Sequence, residues 1–284
     1  MPKKIQIEPL EVTGLADYHC HCDYSVDATG SINEYCEAAL QRNLAELCFT
    51  THYDANPASV DSSANLISVK GEKLRATIEN LAEYVKDVER AHAKYYPMGL
   101  YVRLGLEFGW YSGCEEEVSK LKRAYDFEYM LCGIHELGDI CFCCSHSYEE
   151  CFGRYSLEEM AAEYFAEGKK AARTGLFDTI AHLDYYKKYG EKYYGKQVHE
   201  AHRPQLRELF EALKESGTAI EINTAAARKG FSSYYPQVEI VNAARRSGVE
   251  VIHLGSDAHA PEHVGYDFDA AEAQLPQIAG GCDD

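Results

Sequence analysis

The chain has 284 residues, 46% of them hydrophobic, enough for one large α/β domain with a sizeable core. Its formal net charge is −18, and such a surface repels nucleic-acid backbones and anionic membranes. No stretch approaches the roughly 18 apolar residues of a membrane span, and the N-terminal MPKKIQIEPLEVTG has no apolar leader core, so a cytoplasmic protein is expected. The 11 cysteines are an odd number, which in that compartment points to free thiols rather than a disulfide framework.

Seven short apolar runs alternate with longer helical patterns. The expected strands are Gly14–His19, Ala45–Thr51, Tyr101–Leu106, Glu128–Ile134, Asp178–Ala181, Thr218–Ile222 and Val249–Leu254. They are rich in Val, Ile, Leu and aromatic residues, as suits parallel strands covered on both faces. The expected helices are Ser31–Arg42, Gly71–Tyr95, Glu115–Arg123, Ser156–Thr174, His202–Ser216, Tyr235–Ser247 and a short tail, Asp269–Gln274. Ser31 with Glu34, and Ser156 with Glu159, have capping-box spacing. Pro204 and Pro236 fall in first turns, and Gly248 stops the sixth helix. The alternation predicts a single-domain parallel (β/α)7 barrel over residues 1–284, with an open doubly wound sheet as the rival. No glycine fingerprint follows the first strand, which disfavours the rival.

The chemistry lies at the C-terminal end of each strand: Asp17-Tyr-His19-Cys-His21, Thr51-His52-Tyr-Asp54, Gly105-Leu-Glu107, Gly133-Ile-His135-Glu136, Ala181-His182-Leu-Asp184, Glu221-Ile-Asn223 and Ser256-Asp257-Ala-His259. The C-terminal ends of parallel barrel strands converge on one face, so these residues would meet in one pocket. Positions i and i+2 of an extended segment point the same way, so His19 and His21, and Asp257 and His259, can each offer a pair of ligands. Imidazole with carboxylate suits zinc, iron or manganese.

These motifs resemble the PHP (polymerase and histidinol phosphatase) family in DYHCHCDYSVDATG, TTHYD, GLE, GIHE, AHLD and HLGSDAH, from residue 17 to 259. EINTAAARKG and SDAHAPEHVG are most similar to its histidinol-phosphate phosphatase branch. The resemblance implies a distorted (β/α)7 TIM-like barrel holding two or three divalent ions. One ion would take His19, His21, Glu107 and Asp257. Glu107 would bridge to a second, held by His135 and His182. A third would take His52, His259 and Asp27; Asp27 can also be read as a turn residue before Gly30. Three ions against Asp27, Glu107 and Asp257 would leave the pocket about three charges positive, suited to a phosphate dianion.

The reaction expected is hydrolysis of L-histidinol phosphate in histidine biosynthesis, by in-line attack on phosphorus of a hydroxide bridging two ions, without a covalent enzyme intermediate. Asp27, His52 and Arg228 are the candidate catalytic side chains. Arg228 is also a candidate phosphate clamp, for which the alternative is a solvated loop cation. Lys188, with Lys187, is a weaker candidate for phosphate binding. The proton source for the leaving group is unassigned, with Asp54 and His52 nearby in sequence. Asp17 and Asp184 could each orient a ligand imidazole or simply end a strand. His253, inside the last strand, reads as a satisfied core histidine, and Cys20 and Cys22 should point away from the metals.

Cys141, Cys143, Cys144 and Cys151 surround His146 in CFCCSHSYEEC. A zinc site, a redox switch and a plain cysteine-rich loop are all open readings. The rival functions are a phosphoesterase acting on another small phosphate ester or nucleotide, and a non-enzymatic metal or redox protein. The expected partners are a small phosphate ester, no nucleic acid and no membrane, in a monomer or homodimer. Loops 56–69 and 138–155 should wall the pocket.

Overall fold

Residues 15–61 and 65–274 are described by a computed structural model. The N-terminal segment 1–14, with Gly14 of the first expected strand, lies outside the described residues. Seven parallel strands form a closed ring: β1 Ala16–Cys20, β2 Glu46–Phe49, β3 Tyr101–Gly109, β4 Tyr129–Gly133, β5 Thr179–Ile180, β6 Ala219–Asn223 and β7 Val251–Gly255. The order is β2-β1-β7-β6-β5-β4-β3, and pairing of β2 with β3 closes it. Register shifts between Asp17 and Cys20 and between Ile220 and Ile222 distort the barrel. The open-sheet rival is thereby excluded. Strands β2, β4 and β6 are buried along their whole length, as expected of a sheet with helices outside and packed side chains within.

The main outer helices are α1 Ile32–Gln41, α2 Ala82–Tyr95, α3 Glu115–Ala124, α4 Leu157–Arg173, α5 Leu206–Ser216, α6 Val238–Arg246 and the tail α7 Phe268–Gln274. Both expected capping boxes form. Ser31 N–H donates to Glu34 at 2.7 Å and Ser156 N–H to Glu159 at 2.9 Å, while each serine hydroxyl accepts the N–H three residues on. Gly217, in the left-handed conformation (φ 72°), ends α5.

The long helix expected over 71–95 is corrected. Its first part is the second arm of an antiparallel hairpin, Leu66–Val69 against Glu72–Arg75, with Val69 opposite Glu72. Lys70 (φ 53°) and Gly71 (φ 84°) form its two-residue turn, the backbone that matches strand twist and that glycine supplies without steric cost. The helix expected from 202 begins at Leu206, leaving Pro204 in the preceding turn. The one expected from 235 begins at Val238, because Tyr235 pairs with Asn223 instead. Among the described residues the His253 ring makes no hydrogen bond, and the residue is not fully buried. Its half-buried ring stacks on Tyr18 at 3.7 Å, and burial pushes it down to about 4. It belongs to the N-terminal mouth of the barrel, where Tyr18 and Arg103 both reach Glu46 at 2.5 Å.

Beyond β2 the chain stays extended at His52–Tyr53 and pairs with β3, placing His52 opposite Glu107. That register carries the site. For the frame itself, Ser156→Ala should lower unfolding free energy by about 1 kcal/mol, read as a lower denaturant midpoint at unchanged slope.

Candidate metal centre

Glu107, on β3, is fully buried, and its two oxygens face different histidines. Oε2 lies 2.9 Å from His52 Nδ1, 3.3 Å from His19 Nε2 and 3.4 Å from His21 Nε2. Oε1 lies 2.9 Å from His182 Nε2 and 3.3 Å from His135 Nε2. Asp257 Oδ1 closes the first group, 3.3 Å from His21 Nε2 and 3.8 Å from His19 Nε2. At the open side Asp27 Oδ2 lies 3.4 Å from His259 Nε2 and 3.9 Å from His52 Nε2. The His21 ring sits 4.0 Å from that of His52 and 4.3 Å from that of His259. All nine residues singled out in the sequence therefore come together, drawn from six strand ends and the turn before α1.

The donor set fits a cation. His19 Nε2, His21 Nε2, His52 Nδ1 and Glu107 Oε2 are buried without a hydrogen-bond partner, and buried polar atoms are normally satisfied. Several lie close together yet unaligned for hydrogen bonding, as ligand atoms converging on an ion would be. Backbone space is reserved as well: a Cβ on Gly133 would lie 2.5 Å from His135 Nε2 and 2.6 Å from Glu107 Oε1.

Proton affinities record the same crowding. Burial alone would keep His19 neutral, but Glu221 and Glu107 outweigh it and raise it well above the ordinary value. Burial likewise opposes His52, which Glu107 and Asp27 nonetheless raise to about 9. For Glu107, burial favours the neutral acid, yet His19, His135 and His52 pull it well below the usual carboxylate range. His21 goes the other way, driven well down by burial and by His52 and His259.

The surrounding shell differs from expectation. Glu221, at the end of β6, holds His19 Nδ1 at 3.0 Å and accepts the His182 N–H at 2.8 Å. Asp54 holds His135 Nδ1 at 3.0 Å. Sequence reading assigned neither of these carboxylates that part; the signal available was an acid at a strand end beside histidine-bearing strands. Asp17 does not orient an imidazole. It accepts backbone N–H groups of Ser256 at 2.9 Å and Gly265 at 2.8 Å, tying β1 to the segment after β7. Asp184 is taken by Lys187 and by the Gln237 N–H at 3.1 Å, so Lys187, buried in that pair, does not serve phosphate. Five carboxylates, Asp27, Asp54, Glu107, Glu221 and Asp257, now surround the centre. Three divalent ions would leave it about one charge positive rather than three, which gives the rim cations more to do.

At that rim Arg228 donates to the carbonyls of Ser256 at 2.5 Å and Asp257 at 2.8 Å. Asp257 has positive φ (51°), as does His182 (31°). Such strain inside the cluster must be held by its surroundings, and Arg228 supplies two of the bonds that hold the Asp257 turn. Lys188 Nζ lies 3.1 Å and Lys229 Nζ 3.4 Å from the Tyr185 hydroxyl, whose ring stacks on His182 at 4.1 Å. Tyr185 and Lys229 were not singled out in the sequence. Cys20 does point away, its sulfur 3.7 Å from the Ser256 hydroxyl. In the cysteine-rich loop, Cys141 and Cys144 form a disulfide, correcting the expectation of free thiols throughout. The loop also contains a short helix, Tyr148–Phe152.

The PHP domain family model matches residues 17–225. The probable histidinol-phosphatase of Deinococcus radiodurans is 33% identical over 95% of both chains, and the histidinol-phosphatase of Lactococcus lactis is 26% identical over 86% of this chain and 83% of its own. The fold is similar to the crystal structure of the Lactococcus lactis histidinol phosphate phosphatase complexed with zinc, L-histidinol and phosphate, with a TM-score of 0.73, 21% identity, and 93% of this chain and 94% of that one covered.

Because Glu221 holds His19 Nδ1 and so aims its Nε2 at the pocket, Glu221→Gln should weaken metal retention by roughly 10- to 100-fold. Competition with a chromophoric chelator measures it. Retention equal to the parent's would remove Glu221 from this role.

Proposed function

The chain belongs to the PHP domain family, and from that premise we propose that it is a metal-dependent phosphomonoesterase hydrolysing L-histidinol phosphate to histidinol and phosphate in histidine biosynthesis. The observation that carries this reading is Glu107, whose two oxygens each face a separate set of imidazoles while neighbouring ligand atoms stay buried and unpartnered. Similarity to curated histidinol-phosphatases over nearly the whole chain supports the substrate.

In this reading His19, His21, Glu107 and Asp257 hold one ion, Glu107 with His135 and His182 a second, and His52, His259 and Asp27 a third, drawn from zinc, iron or manganese. When bound, divalent ions lower the pKa of water and neutralise charge on phosphoryl oxygens. The remaining work falls to the protein. Glu221 and Asp54 keep the second nitrogens of His19 and His135 engaged, so that Nε2 of each faces the pocket. Arg228 holds the Asp257 turn with two donors and keeps others to meet a phosphate oxygen. Lys188, beside Lys229 and Tyr185, adds positive charge at the mouth. Asp27 lies between His52 and His259 at the open side, and although burial opposes its charge, those two imidazoles hold its carboxyl well below the usual carboxylate range.

Hydrolysis of histidinol phosphate should vanish on chelation and return with zinc, manganese or iron. Its kcat/KM should exceed that for nucleotides and other phosphomonoesters by roughly tenfold or more, about 1.4 kcal/mol. Chelator-insensitive hydrolysis would overturn the metal reading, and preference for a nucleotide would overturn the substrate. Arg228→Ala should raise KM by roughly 10-fold, about the value of a charged hydrogen bond, beyond any loss of metal content measured on the same sample. A fall in metal content with unchanged KM would show that Arg228 acts only through the Asp257 turn.

A further inference from the structure

We propose that the loop after β4 carries a separate site for a soft divalent ion such as zinc, with Cys141, Cys143 and Cys144 as thiolate ligands and His146 as the fourth. The sulfurs of these three cysteines all lie within 4.8 Å of one another, with Cys141 and Cys143 at 3.4 Å. Cys144 belongs also to a second such group, with Asp61 and His146. Asp61 faces His146 Nε2 at 2.8 Å, the carboxylate–imidazole arrangement that leaves the other ring nitrogen, Nδ1, for a metal. Three sulfurs and one imidazole are a four-coordinate zinc set.

The backbone beneath is already fixed. Cys141 pairs with Glu136 in a short antiparallel ladder. The Ser147 hydroxyl donates to the Cys141 carbonyl at 2.8 Å, and the Tyr148 N–H to the Cys144 carbonyl at 3.1 Å. Cys151 is outside the set, its sulfur directed at the Ile140 carbonyl. Three thiolates and one divalent ion leave a single negative charge. None of these ligands belongs to the Glu107 centre. The two sites are nevertheless mechanically linked, because the Phe142 N–H donates to the carbonyl of His135 at 3.1 Å. An ion here would stiffen the wall of the pocket.

The Cys141–Cys144 disulfide is the oxidised, metal-free form of the same group. A dithiol reductant opens it: the S–S bond breaks, two electrons and two protons pass to the cysteine sulfurs, and the reductant closes as its own disulfide. Metal binding then displaces the thiol protons.

The test is cobalt(II) loading of the full chain after reduction. The Glu107 centre offers only nitrogen and oxygen ligands, so a near-ultraviolet sulfur-to-cobalt charge-transfer band reports the cysteine site alone, whatever the enzyme's substrate proves to be. The reduced parent should show the band and bind one more ion than its oxidised form. Cys143→Ser and Cys144→Ser should lose the band and that one equivalent, while Cys151→Ser keeps both. Cobalt bound by the reduced parent without the band overturns the site, as does a band that survives both serine variants. The parent measurement decides even if a variant fails to fold.

Discussion

A carboxylate buried with no exposure is the constraint around which this barrel is arranged. An isolated buried charge costs several kcal/mol after relaxation, so Glu107 is tenable only with compensating partners around it. Five imidazoles lie within 3.4 Å of its oxygens. They come from β1, from the extension of β2, and from the ends of β4 and β5. β3, the longest strand at nine residues, carries Glu107 upward between them. The pairing of His52 opposite Glu107 fixes the height at which they meet.

Around this centre the protein supplies a second layer of negative charge. Glu221 and Asp54 grip the outer nitrogens of His19 and His135, and Glu221 also takes the backbone N–H of His182. One carboxylate thus sets the ring of one candidate ligand and the main chain of another, each addressed to a different ion. The positive φ of His182 and Asp257 shows that the ends of β5 and β7 are bent to meet this geometry rather than relaxed into it. Arg228 on one side and Asp17 on the other clamp the Ser256–Asp257 turn through backbone bonds.

Periodicity and position made part of this legible in the sequence. Histidines recurring at the ends of apolar runs could be read because a parallel barrel brings strand ends to one face, and the two serine capping boxes could be read because they are local. The hairpin at 66–75 could not, because Glu72–Arg75 is polar enough to resemble a charged helix; Lys70-Gly71 was the overlooked turn signal. Asp17 and Glu221 could not be distinguished from sequence. Both are acids within strands, and only the ring order, which sets β7 between β1 and β6, decides which of them reaches an imidazole. The Cys141–Cys144 pairing was equally hidden, since spacing does not specify which of three neighbouring sulfurs meet.

The seam between β1 and β7 has a consequence for assembly. His19 and Asp257 lie 238 positions apart, and they become neighbours only when the last strand docks against the first. A nascent chain that has reached β6 already owns His19, His21, Glu107, His135 and His182, but neither Asp257 nor His259. It also lacks the Ser256 and Gly265 amides that satisfy Asp17. The half-built barrel has a gap where β7 belongs, with a buried carboxylate on one edge and Glu221 on the other. Completion of the site therefore waits on the docking of β7, and a chain stopped before Asp257 would carry the clustered side chains of β1 to β5 without closing the centre.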